Sequence, residues 1–451
     1  MSERAATTLT GWGRTAPSDA RLRRPESIEA LQHLVSASGP RGTIARGLGR
    51  SYNDAPQNAG GEVLDLTNWT RILRFDRSRG LLRAEAGLSI DALLHEVVPA
   101  GWFVPVTAGT RFVTLGGAFA ADIHGKNHHV DGSFAQHVRD VDMVLADGSL
   151  RRLSPDDEPA LFWATAGGMG LTGVITQLEL QLIPISTSLM QVDTERANDL
   201  DDVLDRLERD DHRYRYSVAW LDTSAGGRHH GRGVISRGWH AELSDLPTDA
   251  AGDPLRPHSI RALGLPDVFP SGLINRMSTR VFNSAWYHRA PSERHRDLQS
   301  MAAFFHPLDG LLDWNRIYGR RGLVQYQFAV PPAGTDVIRE TLDMIGGART
   351  SSFLSVLKRF GPGNDGLLSF PMEGWTLAVD LPVGPGLPGL LDDLDRKVLA
   401  AGGRLYLAKD ARTSSETLAA GYPRLEAFRR VRAEVDPTGR FRSDLARRMD
   451  L

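Results

Sequence analysis

The chain contains no cysteine, which removes disulfides, thiolate metal sites and cysteine nucleophiles from consideration. It also lacks a surplus of either charge. Fifty-three basic residues against 55 acidic leave a net of -2, so there is no general electrostatic footprint for nucleic acid, and no nucleic-acid partner is expected. Long apolar runs are missing too: no stretch nears the ~18 residues of a membrane-spanning helix. The opening MSERAATTLTGWGR has no apolar core of a secretory leader, so neither signal peptide nor spanning helix is expected. Absent as well are a Walker A Gly-Lys-Ser/Thr, the full glycine set of a Rossmann fingerprint and a Gly-x-Ser-x-Gly elbow. Nucleotide triphosphate hydrolysis and serine-hydrolase chemistry therefore lose their usual signals.

What is present suits a packed protein. The 451 residues are 41% hydrophobic and 24% charged, enough for about two or three domains with buried cores. Ser27 is placed to cap a helix carrying Ile28, Leu31, Leu34 and Val35 on one face, and Ser89 a second with Ile90, Leu93, Leu94 and Val97. Short strands are expected at 43–45, 72–75, 81–84 and 141–146, the last turning through Asp147-Gly148 into 149–153. Further strands are expected at 174–185, 323–330 and 376–381. Residues 195–211 read as a charged helical stretch, and 236–258, rich in Asp, Pro and Gly, as a loop. Strands interleaved with helices indicate an α+β or α/β domain.

Three glycine-rich segments, 46–54, 107–117 and 166–173, can bring backbone N–H groups to an anion, because glycine lets the chain approach a phosphate closely. Each alone is compatible with an ordinary tight turn; three together make a long cofactor bearing a pyrophosphate attractive. In Asp122-Ile-His-Gly-Lys-Asn-His-His129, His124 and His128 are four apart, which invites a metal. No third ligand has a completing spacing, so no metal is expected, and a polar pocket wall is the better use.

The order of glycine-rich loop, small-residue helix and Gly170-Leu-Thr-Gly173 strand entry resembles the vanillyl-alcohol-oxidase-type FAD domain, also called PCMH-type. More narrowly, Thr10-Gly-Trp-Gly-Arg-Thr-Ala-Pro17, Ala45-Arg-Gly-Leu-Gly-Arg-Ser-Tyr52, the histidine segment, Phe162-Trp-Ala-Thr165 and Trp314-Asn-Arg316 resemble the flavoprotein oxidase subunits of decaprenylphosphoryl-β-D-ribose 2′-epimerases. So do Gln325-Tyr-Gln327, Gly402-Gly-Arg-Leu-Tyr406 and Ala408-Lys-Asp410. The resemblance implies a two-domain α+β fold: an FAD-binding domain from 1–186 and 404–451, and an antiparallel-sheet substrate domain from 187–403.

Carried over by position, the flavin would contact Ala45, Arg46, Gly47, Leu48, Gly49 and Arg50, then Ser51, Tyr52, Asn53, Asp54 and Ala55. Gly109, Thr114, Leu115, Gly116 and Gly117 would follow, then Ala121, Asp122, Ile123 and His124, with Ile175 and Tyr406. Arg50 stands where many relatives carry the histidine that attaches FAD covalently, implying non-covalent FAD. The implied reaction oxidises the ribose 2′-hydroxyl of a polyprenyl-phosphate sugar, with an NAD(P)H-dependent reductase as partner to complete epimerisation. Lys409 is the expected proton acceptor, with His124 as rival and Tyr52 beside them. Lys126, Trp220, Gln325, Gln327, Lys358 and Phe360 would line the substrate pocket, Lys126 or Lys358 meeting the phosphate. Phe305, Ser355, Thr376 and Ala378 replace Tyr, Asn, Asn and Cys of members, which changes the pocket's shape and leaves no thiol. Alditol and aldonolactone oxidases of the same fold are the alternative, although their C-terminal His-Trp-x-Lys is missing. Finally, 273–289 mixes apolar residues with Arg276, Arg280 and Arg289. It reads either as a helix packed into the core or as a segment meeting a prenyl tail or, peripherally, the plasma membrane.

Overall fold

The computed structural model describes residues 6–248, 250–257, 262–348, 350 and 352–451. Its α+β architecture rests on three main sheets. Thr7–Leu9, Ser18–Arg23, Glu62–Asp65 and Thr43–Arg46 form a mixed four-stranded sheet in that order. Ile72–Asp76, Leu81–Glu85, Val174–Gln181, Val138–Val144 and Leu150–Leu153 form an antiparallel five-stranded one. Both expected serine caps are present: Ser27 accepts from the Ala30 N–H and Ser89 from the Ala92 N–H, each satisfying an otherwise orphaned helical donor.

The largest sheet has eight antiparallel strands. Its order is Glu293–Ser300, Leu189–Ala197, Gly233–His240, Tyr216–Leu221, Ser355–Phe360, Gly374–Pro382, Leu323–Val330 and Arg404–Leu405. Two expectations are corrected by it. Residues 195–197 belong to the Leu189–Ala197 strand, and the helix starts only at Leu200, capped by the Asp199 side chain. Residues 236–240 are strand rather than loop; Asp249 and His258 of that stretch lie outside the described residues. In both cases pairing with neighbouring strands overrides the local charge and turn signals. The expected strand 174–185 is likewise split: Val174–Gln181 stays in the five-stranded sheet, while Ile183–Pro184 pairs with Trp102–Phe103.

Alternation along the eight-stranded sheet separates two environments. Val324, Tyr326, Phe328 and Val330, with Leu357, Leu377, Val379 and Leu381, pack on Val337, Leu342, Leu391 and Leu394 of two covering helices. Gln325 and Gln327 point the other way, although the whole Leu323–Val330 strand is buried. Two glycines then bring the N-terminal segment against this strand. A Cβ on Gly11 would lie 2.0 Å from the Asn53 carbonyl, and one on Gly13 2.6 Å from the Leu323 carbonyl, so only glycine fits. The Leu323 N–H bonds the Gly13 carbonyl at 2.9 Å and the Gly13 N–H bonds the Tyr52 carbonyl at 3.0 Å. The first glycine-rich loop is thereby fastened to the rim of the sheet.

Candidate active site

Register decides which side chains meet. Gln325 lies opposite Asp380, Gln327 opposite Ala378, and Lys358 opposite Thr376. Val356, next to Ala378 in the ladder, also pairs with Trp220. Residues two apart share a face, so Trp220, Lys358, Phe360, Thr376, Ala378, Asp380, Gln325 and Gln327 stand on the side away from the covering helices. Ser355 pairs with Val379 and therefore faces the helices. Phe305 packs in the first core against Phe103 and Tyr216. Of the four replaced positions, only Thr376 and Ala378 belong to this polar face.

Two loops cover it. Tyr52 comes from the glycine-rich loop, its N–H bonded to the Ala408 carbonyl at 3.0 Å. Gln325 Nε2 donates to Tyr52 Oη at 3.2 Å and to Asp380 Oδ1 at 2.5 Å. The Lys409 ammonium lies 3.8 Å from the centre of the Tyr52 ring. From the other side, His124 Nε2 lies 3.0 Å from Gln327 Nε2. Thr376 donates its hydroxyl to the Phe328 carbonyl at 2.8 Å, so its oxygen accepts from Gln327 Nε2 at 3.2 Å. That assignment makes the Gln327 amide a donor to His124 Nε2 and leaves the imidazole proton on Nδ1. Among the described residues, His124 Nδ1 is buried without a partner, as are both ring nitrogens of His128, whose ring lies 4.5 Å from Phe360.

Electrostatically the pocket disfavours charge. Burial lowers the Lys409 ammonium to about 7, against the opposing pull of Asp380 and with help from Lys358. Burial likewise lowers Lys358 to about 8 and, reinforced by Lys358, Lys126 to about 7. All three lysines keep some surface open, yet the protein packed around each solvates a cation less well than bulk water does. Burial raises the Asp380 carboxyl to about 7 and pushes the Tyr52 phenol well above its ordinary range. His124 is driven well below its usual value by burial and then by Lys358, so it is a neutral imidazole. Lys126 donates to the Phe304 carbonyl at 2.5 Å, and the Trp220 indole to the Phe353 carbonyl at 2.9 Å.

The remaining expected residues divide into free donors and bracing. In the first loop, Gly47, Leu48, Gly49, Arg50 and Ser51 have no acceptor for their N–H groups among the described residues. Gly49 takes a left-handed φ of +65°, and a Cβ on Gly47 would lie 2.3 Å from the Thr114 hydroxyl. Space beside Gly109 is open, with no atom within 4 Å of where a Cβ would stand. Free donors, open space and orphaned imidazole nitrogens fit a long anionic cofactor with a polar ring system. Thr114 caps the helix Leu115–Ala120, which contains Gly116 and Gly117. Arg46 braces the carbonyls of Thr10 and Pro56; Asn53 binds those of Leu407 and Asp410; Asp54 pairs with Arg448. Asp122, at φ 39°, collects donors from Ser133, Ala135, Asn364 and Ser369. Tyr406 donates to the Ala121 carbonyl at 3.0 Å and rings His124 with Phe360 and Phe370. Ala45, Ala55, Ile123 and Ile175 supply apolar backing. Sequence reasoning missed Asp380, for which the alternation 376, 378, 380 on a paired strand was the available signal; His128 it placed in a polar pocket wall, without assigning it a ligand. No group of three His, Asp or Glu able to hold a metal exists among the described residues.

Comparison with known proteins agrees with this geometry. Residues 20–154 match the FAD binding domain family, and residues 391–449 match the D-arabinono-1,4-lactone oxidase family. The chain is 43% identical to decaprenylphosphoryl-beta-D-ribose oxidase of Mycolicibacterium smegmatis, over 98% of this chain and 97% of that protein. It is 27% identical to alditol oxidase of a Streptomyces species, over 98% and 99%. L-gulono-1,4-lactone dehydrogenase of Mycobacterium tuberculosis is 23% identical over 94% and 95%. Fold and site together define an FAD-dependent oxidoreductase acting on a CH–OH group. Within that class, the chain belongs to the decaprenylphosphoryl-β-D-ribose oxidase family.

Proposed function

We propose that this protein oxidises the 2′-hydroxyl of decaprenylphosphoryl-β-D-ribose to the 2′-ketone, the first half of epimerisation to the arabinose donor for cell-wall arabinan. The observation that carries the reading is the buried polar face, where Lys409, Tyr52, Gln325 and His124 converge beside the donor-rich loop. When bound, FAD supplies the two-electron acceptor; the protein supplies orientation and proton management. The 2′-hydroxyl proton passes to the neutral amine of Lys409, which its lowered pKa makes available near neutrality. His124 offers its Nδ1–H as a fixed donor rather than acting as the base, since Gln327 occupies its other nitrogen. Lys126 and Lys358 meet the phosphate, and Trp220 and Phe360 flank the sugar.

The residues holding FAD non-covalently are those of the loop 45–55, with Gly109, the segments 114–117 and 121–124, Ile175 and Tyr406. Segments 1–186 and 404–451 form the FAD-binding domain and 187–403 the substrate domain. An NAD(P)H-dependent reductase returns hydride to the opposite face of the ketone. No helix among the described residues is long and apolar enough to cross a membrane, and the enzyme meets its lipid substrate peripherally at the plasma membrane.

Anaerobic titration of the holoenzyme with a short-chain polyprenyl-phosphoryl-ribose, following the visible flavin band, tests the proposal; bleaching is expected. The C-terminal match and the relationship to alditol oxidase favour a second reading, oxidation of a soluble sugar. Bleaching by alditols or aldonolactones but not by the lipid-linked ribose would select it.

A further inference from the structure

The helix Arg276–Arg289 packs on the protein by the opposite stripe from an ordinary surface helix. Its buried residues are Thr279, Asn283 and Tyr287. Asn283 donates to Asp222 at 3.0 Å and to the Ser352 carbonyl at 3.1 Å, and Tyr287 donates to the Ala197 carbonyl at 3.3 Å. The apolar residues point outward: Met277 is 78% exposed, Val281 66%, and Phe282 and Trp286 44% each. Phe282 and Trp286 stack with ring centres 6.1 Å apart, a flat aromatic pair rather than a groove. Exposed Val268 and Leu273 extend the apolar surface toward the N-terminus of the helix. This corrects the reading of 273–289 as a core-packed helix.

Charge identifies the occupant. Residues 268–292 contain no Asp or Glu, and Arg276, Arg280 and Arg289 are all exposed. Ser271 accepts from the Arg321 N–H at 3.2 Å, which brings exposed Arg320 and Arg321 to the same edge. Apolar side chains, interfacial aromatics and unopposed arginines on one exposed helix match the boundary of an anionic bilayer. The helix also adjoins the candidate site. Phe282 lies 5.6 Å from Phe353, whose carbonyl holds the Trp220 indole. We propose that the Arg276–Arg289 helix is a membrane-docking surface that seats the rim of the active site on anionic lipid. The proposal rests on the reading that the enzyme works at a membrane, and its test uses no substrate, so the two can fail separately.

The test is co-sedimentation of the full-length holoenzyme with phosphatidylcholine vesicles, alone or with about one-third phosphatidylglycerol. Pelleting is expected with the anionic vesicles. It should fall about tenfold in Met277→Glu/Val281→Glu and about tenfold in Arg276→Ser/Arg280→Ser, with flavin absorbance and melting temperature retained. Wild type that stays in the supernatant, or variants that pellet equally, would overturn the proposal. Trp286→Leu keeps an apolar residue and removes one fluorophore. It should pellet like wild type yet lose the quenching by spin-labelled lipid, and undiminished quenching would also overturn it. If the glutamate variant instead turned a dimer into a monomer without altering vesicle binding, the surface would belong to a second copy and the proposal would fall.

Discussion

The two faces of the eight-stranded sheet are drawn from the same strands, residue by alternate residue, yet they obey different rules. On one, Tyr326, Phe328, Leu357, Leu377 and Val379 are closed under helices. Burial there is favourable for every side chain, and Tyr326 satisfies its hydroxyl on Asp395 at 3.0 Å. On the other, Gln325, Gln327, Lys358, Thr376 and Asp380 are held out of bulk water, where an unpaired polar group costs about 1–3 kcal/mol. Asp380 Oδ2 and His124 Nδ1 remain without partners among the described residues. The comparison teaches that apolar burial is concentrated on the first face and the proposed chemistry on the second, so substitutions on the two should separate cleanly.

The sharpest break is Lys409→Met. Removing the amine should slow substrate-driven flavin reduction by about 10²- to 10⁴-fold, with flavin content and melting temperature retained; single-turnover reduction kinetics measure it. On the opposite face, Phe328→Ala should cost about 3–5 kcal/mol of stability, measured by urea unfolding, while the reduction rate per folded molecule stays within a few-fold. Comparable loss of both in either variant would erase the distinction between the faces.

A finer test uses pH. Lys409 accepts a proton only when neutral, so kcat/KM should fall as pH drops through about 7. Asp380 raises the Lys409 value, so Asp380→Asn should move that acidic limb to lower pH; a shift upward would contradict the assignment. Gln327→Leu removes the donor that holds the His124 tautomer and should slow reduction by about tenfold, with the position of the limb unchanged. The smallest effect is expected from Ala378→Cys. In a chain with no other cysteine it places a single thiol on the polar face, and modification by a maleimide should be slowed by bound substrate. Labelling indifferent to substrate would move the pocket elsewhere.

Much of the local structure is legible in the sequence alone. Ser27 and Ser89 cap where their hydroxyls and the apolar spacing behind them require, because a cap is satisfied within three residues. The Asp147-Gly148 turn joins its two strands for the same reason. Where local signals failed, at 195–197 and 236–240, the deciding partners lay well beyond any local window, on neighbouring strands such as Glu195 opposite Ile235 and Val218 opposite Ser236. The FAD-binding class was legible from the order of the glycine segments and their resemblance to a flavin-binding family, with each residue's role left as an expectation.

What the sequence determined by itself was therefore the short-range chemistry: caps, turns, the glycine loops and the two-residue alternation that puts Gln325 and Gln327 on one side of a strand. Tertiary structure alone decided that Asp380 stands opposite Gln325, that Tyr52 and Lys409 close over that pair, and that the Arg276–Arg289 helix buries its polar stripe and exposes its apolar one. Register and burial depend on contacts between segments tens to hundreds of residues apart. Those same contacts, by excluding water, make Lys409 a candidate base.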